Sequence, residues 1–252
     1  MTGVNKRTIL RLLCEAGNLA AEILDRELVN LSCRFVQVDE IWTYVGKKQK
    51  ECTEEEKAAG ELGDQYVFVA MDSETKLTIL HRVGRRTGET ALSFLRDLDA
   101  RISTRFQLST DAFGAYTDAV DRVWGTEIDY GQVHKSYANS IEPQHRYSPP
   151  KVVSTYLNMI VGNPIKKRIS TSHIERQNLT MRMQMRRFTR LTNGYSKKLE
   201  NLKAAVALHF FHYNFMRIHQ TLRVTPAMQA RVANQIWTWK SVLASKAERK
   251  AA

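Results

Sequence analysis

Cysteine is scarce in this chain. The three present, Cys14, Cys33 and Cys52, are odd in number and nowhere form a C-x-x-C pair. That excludes a disulfide framework and a zinc knuckle, and it fits a reducing, cytoplasmic setting. No run of about 18 consecutive apolar residues occurs, so a membrane span is not expected. The opening MTGVNKRTILRLL also lacks the apolar stretch of a signal peptide. No internal repeat or low-complexity tract is present. What remains, 252 residues with 43% hydrophobic content and four Trp, can bury one good core and a small appendage.

Acidic residues are missing from one region in particular. From Asn139 to Arg223 there are 15 Lys or Arg against 3 Asp or Glu, whereas the rest of the chain balances at 23 against 23. The whole net charge of +12 therefore sits in one segment. A solvated basic face would normally intersperse acids, so attraction to a polyanion, nucleic acid above all, explains the segment better.

Apolar residues at helical spacing over Val4 to Leu31 read as one or two short helices broken near Gly17. TGVNKRTILRLL looks like the turn and recognition helix of a helix-turn-helix, with Asn5, Lys6, Arg7 and Arg11 free to meet DNA. A plain packing helix accounts for the same pattern. RFVQVDEIWTYV, QYVFVAMD and KLTILHRVG read as an antiparallel meander, with a turn at Asp72 to Thr75 and a long exposed loop, KKQKECTEEEKAAGELGD, after the first strand. A helix over Thr90 to Ile102, a strand FQLSTD, a helix AFGAYTDAVDRVW and a strand TEIDYGQVHKSY follow. Ala138 to Ser170 reads as irregular, around Pro143, Pro149, Pro150 and Pro164. Helical pattern resumes at HIERQNLTMRMQMRRF and KKLENLKAAVALHFFHYNFMRIH. Thr225 and Pro226 then cap a last helix over AMQARVANQIWTWKSVLASKAERK. The expected class is α/β, a ribonuclease H-like mixed five-stranded sheet flanked by helices. The expected division is a partial helix-turn-helix segment over 1–31, a catalytic domain over 32–224 and a C-terminal helix and basic tail over 225–252.

Three acids stand out. Asp39 lies in an otherwise apolar strand, where a charge is costly to bury without a partner or metal. Alternation sends Glu40 to the opposite face, so the two acids are not expected to serve one site, and an edge strand with either acid in solvent is the plain alternative. Asp111 ends a strand where a helix begins, a common place for site residues and also for a helix cap. Glu175 fits the capping box Ser172-x-x-Glu175, yet it recurs with Leu179, Arg182 and Arg186 along one helical face as a lone acid among cations.

QVDEIWTYVGKK, STDAFGAY, TSHIERQNLTMRMQMRRFTR and HYNFMRIHQTL followed by VTPAM resemble DDE insertion-sequence transposases, closest to the insertion sequence one branch, from about Phe35 to Met228. The resemblance implies that Asp39, Asp111 and Glu175 are catalytic residues holding Mg²⁺ or Mn²⁺, two ions in all. It implies DNA as partner, both element ends and target, and at least a dimer on DNA. It matches Arg182 to a basic position two turns beyond the glutamate. Fuller relatives carry a complete N-terminal DNA-binding module, and on this resemblance the sequence is expected to begin within what would be its recognition helix. Lys166, Lys167, Arg168, Arg176, Arg182, Arg186, Arg187 and Arg190 are the candidates for phosphate contact. His209 and His212 have no H-E-x-x-H or third ligand and read as packing residues. The rival readings are a nuclease without strand transfer and a DNA-binding protein with idle chemistry.

Overall fold

The computed structural model describes residues 3–137, 152–189 and 192–244. Its centre is a mixed six-stranded sheet in the order β3-β2-β1-β4-β5-β6. The strands are β1 (Phe35–Val45), β2 (Gly63–Asp72), β3 (Thr78–Gly84), β4 (Gln107–Asp111), β5 (Asp129–Tyr137) and β6 (Val152–Val161). β1, β2 and β3 form the antiparallel meander, β4 and β5 run parallel to β1, and β6 returns antiparallel to β5. The sixth strand corrects the expected five. It lies inside the stretch read as irregular, where the prolines masked the β-branched run VVSTYLNMIV. Residues 138–151, including Pro143, Pro149 and Pro150, lie outside the described residues.

The helices are α1 (Lys6–Glu27), α2 (Glu54–Ala59), α3 (Gly88–Arg101), α4 (Ala115–Trp124), α5 (Ser172–Gln184), α6 (Leu199–Phe215) and α7 (Pro226–Gln229). The alternation of β3 shows how they are layered. His81 stacks on Phe210 of α6, and its neighbour Arg82 bonds Asp97 of α3 at 3.1 Å. α3 therefore covers one face and α6 the other. Phe68 meets Phe94 on the α3 side at 5.7 Å. On the α6 side, the Asn214 carboxamide accepts from Thr78 N and donates to Thr78 O, pinning α6 to β3.

α1 is one continuous helix, without the expected break. Gly17 is where it meets α6: a Cβ there would come within 2.5 Å of the Ala204 backbone. Leu19, Ala20, Ile23 and Leu24 join the core, whereas Lys6, Arg7 and Arg11 are exposed and Asn5 accepts from Arg7 N as the helix cap. The long loop after β1 also contains structure. Thr53 and Glu56 form a capping box that starts α2, a signal present in the sequence but hidden by its charge. The expected last helix shrinks to one turn. Arg231 adopts φ 60, and Trp237 and Trp239 turn in onto Phe215 and Phe211 before helix resumes over 239–244. Burial of two indoles outweighs helix continuation there. Among the described residues, no helix is long and apolar enough to cross a membrane.

Candidate functional site

The parallel ladder between β1 and β4 ends at Gln37 and Ser109. Beyond it the strands are no longer paired, and Asp39 and Asp111 flank the resulting cleft. Asp39 points toward α5, where Asn178 Nδ2 donates to it at 2.9 Å; Glu40 N donates to its other oxygen at 2.9 Å. Glu40 points to the opposite layer, where it takes the Arg86 Nε–H at 3.1 Å and the Tyr116 hydroxyl. Alternation therefore holds for direction and fails for reach. Oxygens of Asp39, Glu40 and Asp111 lie within 4.8 Å of one another, because no paired backbone separates the two faces at the end of a ladder. The expectation that Asp39 and Glu40 cannot serve one site is thereby corrected.

Asp111 Oδ1 accepts from Phe113 N at 3.0 Å, turning the chain toward α4, its other oxygen faces Arg86, and Gly114 rather than Asp111 is the helix cap. Glu175 stands in the first turn of α5 and receives Lys135 Nζ from β5 and the Thr171 hydroxyl. The capping box does not form: Thr171 is the cap residue, and its side chain makes no bond to the helix backbone. Gln37 of β1 caps α5 instead, its Oε1 accepting from His173 N and Ile174 N at 3.0 Å each. Gln37 and Asp39 share a strand face, so one stretch of β1 both docks the helix that carries Glu175 and presents an acid beside it.

Asp39, Asp111 and Glu175 line one open cavity of about 620 Å³, together with Arg86, Lys135 and Thr171. Burial, then repulsion from Asp111 and Glu40, pushes the Asp39 carboxyl up to about 7. Burial likewise raises Glu40, against the pull of Tyr116 and Arg86. Arg86 lies 3.9 Å over the Phe113 ring and reaches Asp111 at 3.6 Å. Sequence reading missed Arg86, Lys135, Tyr116, Gln37 and Asn178. Each lies far along the chain from its carboxylate or helix, and none belongs to a local motif.

Carboxylates so close repel unless protons or cations intervene, and Asp39, Glu40 and Asp111 offer the hard oxygen donors that a divalent cation takes. A metal fits the donor set. Glu175 lines the same cavity but is outside the tight group, its carboxylate turned to Lys135.

Among the described residues, the expected phosphate contacts fall on several elements. Lys166, Lys167 and Arg168 form an exposed turn by the start of β1 and β4, with Arg168 over Phe35 and paired with Glu74. Arg176 is exposed on α5. Arg182 donates to Phe188 O and anchors the turn after the helix. Arg186 does not share the face of Glu175, because α5 ends at Gln184 and Arg186 opens a 3-10 turn. Arg187 is partly buried and donates to Ser196 Oγ at 2.9 Å. Arg190 lies outside the described residues. His209 packs edge-on against Phe210, and burial lowers it to about 4.

No protein-family profile and no curated protein matches this chain. Among solved structures, endonuclease V of Bacillus subtilis matches with 15% identity over 84% of this chain and 96% of that one, at a TM-score of 0.26.

Proposed function

We propose that this protein is a metal-dependent DNA-cutting enzyme of the DDE transposase type, built on a ribonuclease H-like sheet with one added edge strand. The observation that carries this reading is the convergence of Asp39, Asp111 and Glu175, three acids from distant parts of the chain, on one open polar cavity. The strand order β3-β2-β1-β4-β5, with β4 and β5 parallel to β1, supports the fold assignment. The transposase motifs in the sequence support the finer reading over a nuclease without strand transfer.

Mg²⁺ or Mn²⁺, two ions in the proposed enzyme, would supply charge stabilisation at the attacking and leaving oxygens of an in-line phosphodiester displacement. Asp39 and Asp111 are the residues to hold it, with Glu40 within reach and Glu175 completing the set once Lys135 releases its carboxylate. Lys135 and Arg86 then stand at the cavity wall as cations for the non-bridging oxygens of the scissile phosphate. Asn178 and Gln37 act through others: the first orients the Asp39 carboxylate, the second fixes the start of α5. DNA, as element end and target, is the proposed partner, and pairing of two ends calls for at least a dimer on DNA.

The test is cleavage of labelled duplex and pre-nicked DNA with Mg²⁺. Asp39→Asn, Asp111→Asn and Glu175→Gln should each reduce the rate by at least about 10³-fold while DNA binding stays near wild type, because only coordination is lost. Full activity in any one removes that residue from the site. Hydrolysis without joining of the freed 3′ end to a second duplex would leave the nuclease reading in place of transposition.

A further inference from the structure

A second cavity, of about 360 Å³, lies on another flank of α5. Its basic walls come from three separate parts of the chain: Lys76 from the β2–β3 turn, Arg176 with the imidazole of His173 from the start of α5, and Arg217 with the imidazole of His219 from the segment after α6. Among the described residues, no aspartate or glutamate lines it and neither Arg176 nor Arg217 has an ion-pair partner. The acids nearest in sequence, Asp72 and Glu74, attract Lys76 through space but have other bonded partners. Asp72 accepts from Glu74 N, Thr75 N and the Thr75 hydroxyl, and Glu74 pairs with Arg168.

Two further observations point to an absent anion. Lys76 Nζ, which also donates to Ser73 O, lies 3.1 Å from His173 Nε2. Burial, then Lys76, holds both His173 and His219 below the usual histidine range, so positive charge is already crowded here. The second is Gln177, a wall of the same cavity and only 4% exposed, whose Nε2 is buried without a hydrogen-bond partner. Crowded cations beside an unused buried donor form a costly arrangement that a multivalent oxyanion relieves.

We propose that this cavity binds a phosphate group, with Lys76, Arg176 and Arg217 supplying charge and Gln177 a neutral donor. Two sources share this chemistry, a backbone phosphate of DNA and a free phosphate or pyrophosphate. Arg176 directly follows Glu175, so the two cavities adjoin the same turn of α5. A strand with one phosphodiester at the carboxylates can set another phosphate here. That DNA arm rests on the proposed function; the anion site itself does not.

The experiment compares the full chain with Arg217→Gln, Arg176→Gln/Arg217→Gln and Arg217→Lys, using Lys50→Gln/Lys203→Gln, exposed changes that remove the same two charges as the double variant, as control. Folding of each is checked by circular dichroism. Fluorescence anisotropy of a labelled duplex across a salt series measures DNA affinity, and thermal shift with pyrophosphate measures free-anion binding. Expected for the double variant is an affinity loss of about tenfold relative to Lys50→Gln/Lys203→Gln and a salt slope flattened by about two, with Arg217→Lys largely restored. Unchanged DNA binding, with pyrophosphate stabilising wild type but not the double variant, assigns the cavity to a free phosphate and still supports the site. If the double variant matches Lys50→Gln/Lys203→Gln in both assays, the site is refuted. A wild-type protein that fails to cut DNA removes the proposed function but leaves the pyrophosphate arm to be decided on its own.

Discussion

Asp39 shows what one residue costs and supplies. Its carboxyl titrates at about 7 in the folded protein, because it is buried among Asp111, Glu40 and Glu175. The unfolded chain releases that proton near pH 3.9, so between about 4 and 7 the folded state holds the extra proton and stability falls as pH rises. His81 and His209, buried and held at about 4, work in the opposite sense and lose stability as pH falls below about 6.5. The difference between wild type and Asp39→Asn isolates the acid. Without metal, the variant's stability relative to wild type should improve by roughly 4 kcal/mol from pH 4 to pH 8, starting from a small deficit at pH 4, because its amide keeps an acceptor for only one of the two donors that Asp39 serves. Urea unfolding with chelator at both pH values measures this, and a gap independent of pH would mean that Asp39 is ionised throughout.

At the scale of elements, two junctions hold the site in place. Gln37 replaces the missing side-chain cap of α5, so Gln37→Ala strands two backbone N–H groups at that helix start. The loss should be about 1–2 kcal/mol. Because α5 carries Glu175, the rate of DNA cleavage should fall further than stability alone explains, and single-turnover rates at saturating protein read that excess. Gly17 sets how closely α1 approaches α6. Alanine there gains about 1 kcal/mol of helix propensity but drives a methyl to within 2.5 Å of the Ala204 backbone, which has no rotamer to yield. Overpacking of that kind costs about 1–3 kcal/mol, so Gly17→Ala should lower the melting temperature. A rise would show that the two helices separate easily.

The whole molecule carries an acidic pocket within a basic chain of net charge +12. Any cation that binds the folded cluster and not the unfolded chain stabilises by mass action. Millimolar Mg²⁺ or Mn²⁺ should therefore raise the melting temperature at pH 8, chelator should reverse it, and Asp111→Asn should abolish the response. An equal shift with Ca²⁺, Mg²⁺ and Na⁺ at matched ionic strength would reduce the effect to screening. The division of the basic residues has its own consequence. Lys166 and Lys167 lie in an exposed turn by the start of β4, away from the acids at its end, so their joint change to alanine should flatten the salt dependence of binding and leave saturated cleavage nearly unchanged.

Order and type of the first five strands and α3 to α6 were legible in the sequence, because period-two and helical spacing are local properties of the chain; Asp39, Asp111 and Glu175 were singled out by local context and by resemblance, and all three line one cavity. β6 was equally local but was read past, since flanking prolines weighed more than the β-branched run between them. Other features had no local signature. Glu40 reaches its two neighbours only because the β1–β4 ladder stops at Gln37, and Gln37 caps a helix 136 residues away. The basic segment, continuous in sequence, is split among an exposed turn, the face of α5 and a buried contact with Ser196. Composition sets the charge of a chain, whereas the point at which a ladder ends, and which distant side chain fills a helix start, is settled only when the layers close on one another.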